Sequence, residues 1–142
     1  MIAVSSYTMT RINVVPVTEL TDQHLMAEYR ELPMVPAAAR RSNPANHKPT
    51  NVYTLNKGHV MFFYNKKKYL LNRWLDLIAE LYDRGFNIDP AARTVHWPAL
   101  DKFPQVDWQP DAHAVSVNKQ RLEERIGQKP HWYRYRGKPL TP

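Results

Sequence analysis

MTRINVVPVTELTDQHLMAEYRELP, residues 9–33, holds both the first structural element and the first chemical signal. Thr21 and Asp22 are N-cap residues, since their side-chain oxygens satisfy the free amides of an opening helical turn. Leu25, Tyr29 and Leu32 then recur at helical spacing and predict one buried stripe. Pro33 and Pro36 remove backbone donors and clash with the preceding turn, so the helix should end or kink there. At the other end, Thr10 follows a methionine. Removal of an initiating Met9 would expose its α-amine, with Arg11 beside it.

Outward from this stretch, two longer helices are expected. One runs from about Asn65 to Arg84 and turns Leu70, Trp74, Leu77, Ile78 and Leu81 to one apolar face. Gly85 is its left-handed stop. Lys66, Lys67 and Lys68 lie at its start, where the helix dipole disfavours cations. A polyanion could supply the compensating charge, although a solvated lysine run is the commoner reason. The other helix runs from about Asp111 to Gln128, with Val115, Leu122 and Ile126 inward and Pro110 and Pro130 as brackets. Residues 40–57 form a polar, basic loop. His59 to Tyr64 reads as one short strand or as buried chain entering the second helix. Residues 86–110 carry four prolines without sustained periodicity; they predict an irregular but packed segment anchored by Phe86, Trp97, Phe103 and Trp108. The expected fold is mainly α, a compact single domain of about three helices with irregular connecting segments. Residues 9–142 form that domain. Residues 1–8 are an N-terminal extension, expected to be disordered or not translated.

The chain of 142 residues is 43% hydrophobic, has no cysteine and carries a net charge of +7. This size and apolar content support one core without covalent staples. The absence of cysteine excludes disulfides, thiolate nucleophiles and Cys-type metal sites, and it suits a reducing, intracellular (cytoplasmic) setting. The six histidines are scattered without metal-ligand spacing, so neither a metal nor another cofactor is expected. Net positive charge points to a polyanionic partner, nucleic acid before membrane. Apolar runs fall short of the roughly 20 residues that span a bilayer. Nothing suggests more than a monomer.

An α-amine titrates near 7.7–8.0, so about a third of such groups are neutral at pH 7.5, against about 0.1% of lysines. Only the neutral form attacks carbon, which makes a terminal Thr10 a ready nucleophile for imine chemistry. Arg11 could hold a phosphate and lower the amine pKa further. On the first helix, Gln23 and Arg30 share one face, and His24 and Glu31 share an adjoining one. Glu31 has the chemistry to stabilise a cation and then move a proton. The plainer reading makes it a surface carboxylate, with Arg30 paired to Glu28. From Lys119 to Lys138, seven Lys/Arg surround Trp132-Tyr133-Arg134-Tyr135. Basic groups bind phosphates and aromatic rings stack on bases or wedge between them. Trp132 and Tyr135 could equally hold the tail against the helices.

Five blocks, MTRIN (9–13), ELTDQHLMAEYREL (19–32), GHVMFFYNKK (58–67), ELYDRGFNI (80–88) and QKPHWYRYRGK (128–138), closely resemble the phage-type endonuclease V family of pyrimidine-dimer DNA glycosylases and AP lyases. The resemblance spans nearly all of Met9 to Lys138 in the same order. It implies an all-α domain that kinks duplex DNA and flips out a base opposite the lesion. It implies that the Thr10 amine attacks the anomeric carbon of a cyclobutane dimer's 5′ sugar. Glu31 is then the catalytic carboxylate, and the strand breaks by β-elimination through an imine. Arg11, Gln23 and Arg30 match residues that grip DNA around the lesion, Arg121 and Arg125 match DNA-facing cations, and His24 matches a histidine near the active site. With Trp132, Tyr133 and Arg134 these are the expected DNA-binding residues. The implied partner is double-stranded DNA containing ultraviolet photoproducts or abasic sites. Met34 stands where the family has a further basic residue. The alternative is a non-cleaving damaged-DNA-binding protein of the same fold, blocked by the extension. Translation starting at Met9, or removal of residues 1–8, would complete the enzyme.

Overall fold

Thr21 opens the first helix as expected: its Oγ1 accepts the His24 amide at 3.1 Å, and α1 (Asp22–Glu31) follows. The computed structural model describes residues 11–55 and 58–140. Leu25, Tyr29 and Leu32 are all buried along α1. Pro33 ends the helix, and the chain resumes as the short α2 (Met34–Ala39). His59–Phe62 forms a helical turn, α3, running into a 3-10 turn at Phe63–Asn65. It is therefore helical, not a strand. Gly58, at φ 96°, supplies the left-handed residue from which that turn starts. Phe62, Phe63 and Tyr64 are all buried, so this run has the all-round burial that hides a helical period.

The long helices are α4 (Lys67–Asp83) and α5 (Ala112–Gln128). α4 ends in two bonds characteristic of a left-handed stop: Gly85 N–H to the Tyr82 carbonyl and Phe86 N–H to the Leu81 carbonyl, both 3.0 Å. Asp111 caps α5 by accepting the Ala114 amide at 2.8 Å. Tyr29 of α1 stacks on Trp74 of α4, centroids 5.1 Å apart, within a core that gathers residues from every helix. The segment between α4 and α5 is irregular. Phe103 is buried in it, while Phe86, Trp97 and Trp108 are partly buried and packed on the core. The fold is mainly α, as the periodicity implies.

The lysine run is accounted for by protein partners. Lys66 is buried, with Nζ 3.7 Å from the Phe62 ring centroid and donating to the Phe62 carbonyl. Burial lowers its pKa to about 8. Lys67 pairs with Asp101 and Lys68 with Asp107.

Residues 11–15 are the least expected element. They cross the interior outside any regular element, with a bend at Val15 and no neighbouring strand among the described residues, so side chains must satisfy their backbone groups. His59 Nε2 accepts the Ile12 amide at 2.8 Å, and Tyr53 and Tyr69 donate to the carbonyls of Ile12 and Asn13. Arg73 donates to the Val15 carbonyl, and Asn118 Oδ1 accepts the amides of Val14 and Val15. Because His59 Nε2 accepts, Nδ1 carries the proton and donates to the Thr54 carbonyl at 2.7 Å. A charged imidazole would break the first bond. Burial, with a smaller push from Arg11, lowers the His59 pKa to about 4, against the Thr54 hydrogen bond. The unfolded chain thus binds this proton near pH 6.5 and the folded chain only near 4. The stabilisation is fully present above about pH 6.5 and is lost as pH falls towards 4, an effect of about 3 kcal/mol. Denaturant unfolding at pH 7.5 and pH 4.5 should show it, and His59→Gln should reduce the dependence without abolishing it, since His24 is shifted in the same direction.

Candidate active site

The amide of Arg11 donates to Glu31 Oε1 at 3.0 Å. This bond joins that segment to the last turn of α1. Arg11 is the residue that follows Thr10 in the chain. Thr10 itself lies outside the described residues, as do residues 1–8. Glu31 is half-buried, and burial raises its pKa. The Arg11 amide and guanidinium oppose that rise, and Glu28 adds to it. Burial outweighs the opposing contacts, and a raised carboxyl pKa suits general acid–base chemistry.

Glu31 opens into a cavity of about 400 Å³ whose wall includes Arg11, His24, Arg121, Arg125, Trp132 and Tyr133. Three arginines therefore share the cavity wall with Glu31 and with Glu28. Burial lowers the Arg11 pKa, and the neighbouring Arg125 and Arg121 lower it further. Arg11 Nη1 is buried without a hydrogen-bond partner among the described residues. α5 supplies Arg121 and Arg125 one turn apart on one face. Arg121 also lies 3.4 Å from Glu124, an exposed pair of little consequence for stability. His24 stacks on Tyr133 at 4.7 Å and meets Thr21 Oγ1 through Nδ1 at 2.8 Å. Burial lowers its pKa to about 4, with Arg11 and Arg125 contributing, so it is a neutral ring at pH 7.

The C-terminal aromatics divide. Tyr133 is buried behind His24, while Trp132 is 54% exposed at the mouth of the cavity. Trp132 also borders a second, adjoining cavity of about 660 Å³, walled in part by Met26, Arg30, Phe86 and Arg134. Arg30 is exposed there, and its expected partner Glu28 is buried and paired with Arg73 instead. Gln23 is engaged internally: Nε2 donates to the Trp132 carbonyl at 2.7 Å and Oε1 accepts the Arg134 amide at 3.0 Å. Its side-chain amide thus holds the C-terminal segment in place. Arg134 is exposed and begins a two-strand hairpin, β1 (Arg134–Tyr135) with β2 (Lys138–Pro139).

Several residues that build the site gave no signal in the sequence. Glu28 accepts two hydrogen bonds from Arg73, at 2.8 and 2.9 Å, and one from Asn13 at 2.9 Å. Burial works against the Arg73 charge, but Glu28 beside it outweighs this and raises the pKa above the usual arginine value. Asp22 accepts from Arg84 and from the amides of Arg136 and Gly137, which pins the hairpin to the start of α1. Apart from Asn13–Glu28, which spans 15 positions, these contacts span 45 or more, beyond the reach of any local pattern. Among the described residues, no cluster of three or more His, Asp or Glu could hold a metal ion.

Residues 9–94 match a family model described as pyrimidine dimer DNA glycosylase, a span of more than half of the 142 residues. The span takes in Thr10, Arg11, Gln23, His24, Arg30 and Glu31 and stops short of α5 and the hairpin.

Proposed function

The chain belongs to the pyrimidine dimer DNA glycosylase family, and we propose that it excises cyclobutane pyrimidine dimers and then nicks the strand through an imine formed by the Thr10 α-amine. The observation that carries this reading is the Glu31 carboxylate, bonded to the amide next to residue 10 inside an arginine-walled cavity. The neutral amine adds to C1′ of the 5′ sugar, and the glycosidic electron pair leaves with the base. The sugar ring then opens, with the pair going to O4′, which takes up a proton. Loss of the amine proton leaves an imine between nitrogen and C1′. Glu31 stabilises the cationic intermediate and takes the proton from C2′, and the C3′–O bond breaks with the pair on the departing phosphate. Arg11, Arg121 and Arg125 hold phosphates at the lesion, and Trp132 meets the bases. The reaction uses no metal or cofactor. The protein acts as a monomer on DNA inside the cell.

Borohydride trapping tests the mechanism, with protein expressed from Met9 and a duplex carrying one thymine dimer. An adduct mapping to Thr10 is expected, since borohydride reduces the imine to a stable amine. Tight binding without an adduct would leave a damage-recognition protein that does not cut. A separate prediction concerns α5. Arg125→Ala should weaken binding to any duplex and reduce the salt slope of log K by about 0.9, the contribution of one phosphate contact. Filter binding between 50 and 200 mM salt measures it; an unchanged slope would place Arg125 off the backbone.

A further inference from the structure

We infer that Asn118 is a positioning residue of the reaction, setting the nucleophile-bearing segment in register with the arginines of α5; this rests on the imine reading above. Its side chain is fully buried (0% exposed) near the middle of α5, between the cap at Asp111 and the cations Arg121 and Arg125. Oδ1 accepts the amides of Val14 and Val15 at 2.7 and 3.1 Å, and Nδ2 donates to Asn13 Oδ1 at 2.7 Å. Asn13 in turn donates to Glu28, which is held by Arg73. Among the described residues, the hydrogen bonds that join α5 to residues 11–15 are all made by Asn118.

The geometry has a chemical consequence. The amine lies at one end of the segment and the phosphate-holding arginines lie on α5. The distance from nucleophile to sugar therefore depends on how the segment sits along the helix. His59, Tyr53, Tyr69, Arg73 and Glu31 also hold this segment, but none of them lies on α5, so they do not set its register against that helix. One oxygen that accepts two successive amides resists sliding along it directly, and misplacement of about 1 Å at a reacting group can cost on the order of 100-fold in rate. Arg121 and Arg125 stay on α5 whatever residue 118 is and Arg11 alone moves with the segment, so DNA affinity should fall much less than the rate.

The test uses Asn118→Ala and Asn118→Asp expressed from Met9, at a temperature where circular dichroism shows each folded. The readouts are the single-turnover rate of borohydride-trappable adduct and the Kd for the dimer duplex. Asn118→Ala should lose about 10- to 100-fold in rate with Kd within about twofold. Asn118→Asp keeps the acceptor for both amides but gives up the donor to Asn13 Oδ1 and buries a charge; it should be no more stable than Asn118→Ala yet recover part of the rate, which a role in stability alone would not produce. Should the alanine variant fail to fold, Asn118→Thr retains one acceptor and should lose about 10-fold. A wild-type rate in folded Ala or Thr variants, or equal losses of rate and affinity, overturns the inference. Wild-type protein that binds the duplex but yields no adduct sinks the imine reading, and this inference with it; an adduct in wild type with no effect at residue 118 sinks the inference alone.

Discussion

Glu31→Gln is expected to lower the single-turnover rate of strand cleavage by about 100- to 10,000-fold, the usual contribution of a positioned acid–base group. The Kd for the dimer duplex should stay within about threefold. Glutamine matches glutamate in size, and its Oε1 can still accept the Arg11 amide that Glu31 accepts at 3.0 Å. The segment should therefore keep its place, while the charge that stabilises a cationic intermediate and the site that takes up a proton are lost. Equal losses of cleavage and binding would show that the carboxylate serves assembly, not chemistry. A pH profile adds a second reading. Burial, opposed by Arg11, raises the Glu31 pKa, so the acid limb of the wild-type rate should lie above the ordinary carboxylate range and vanish in the variant.

Arg73→Ala should be the most destabilising single change in the core, costing about 3–5 kcal/mol and about 10–15 °C in Tm. Glu28 is buried with both oxygens committed to Arg73. Removing the guanidinium leaves a carboxylate desolvated and held by Asn13 alone, and the Val15 carbonyl loses its donor. The double variant Arg73→Met with Glu28→Gln should recover part of the loss, because the cost lies in an unpaired buried charge more than in the absence of the pair. Thermal unfolding of the single and double variants forms the cycle that measures this. A double variant no more stable than Arg73→Ala would move the cost to the lost contact with Val15.

The buried pair also shapes the site. Glu28 and Glu31 both border the cavity, yet only Glu31 is without a salt-bridge partner among the described residues. Arg73 neutralises the first carboxylate and leaves the second unpaired at the cavity wall, where the proposed mechanism needs it. Gln23 and Asp22 make an analogous division at the other end of α1. Their side chains hold the backbone of Trp132, Arg134, Arg136 and Gly137, so the ring of Trp132 stays exposed at the cavity mouth.

The sequence by itself determined the helices that carry the site. Caps at Thr21 and Asp111, the stripe of Leu25, Tyr29 and Leu32, and the stop at Gly85 are local signals. A helix answers to such signals because its bonds reach only four residues along the chain. The assignment of Thr10 and Glu31 rests on residue chemistry and on the five blocks, and Thr10 lies outside the described residues. Two local ambiguities were resolved by tertiary packing. His59–Phe62 is a helical turn leading into α4 and not a strand, and at the start of α4 Lys66 and Lys67 found aromatic and acidic partners within the protein while Lys68 stays largely exposed. Only the tertiary structure decided the path of residues 11–15. Their apolar letters say that they are buried, but not against what. That was settled by His59, Arg73 and Asn118, which lie 47, 58 and 103 or more positions away along the chain. A buried segment must find a partner for each amide and carbonyl, and with no strand beside it those partners are single side chains brought in by separate helices.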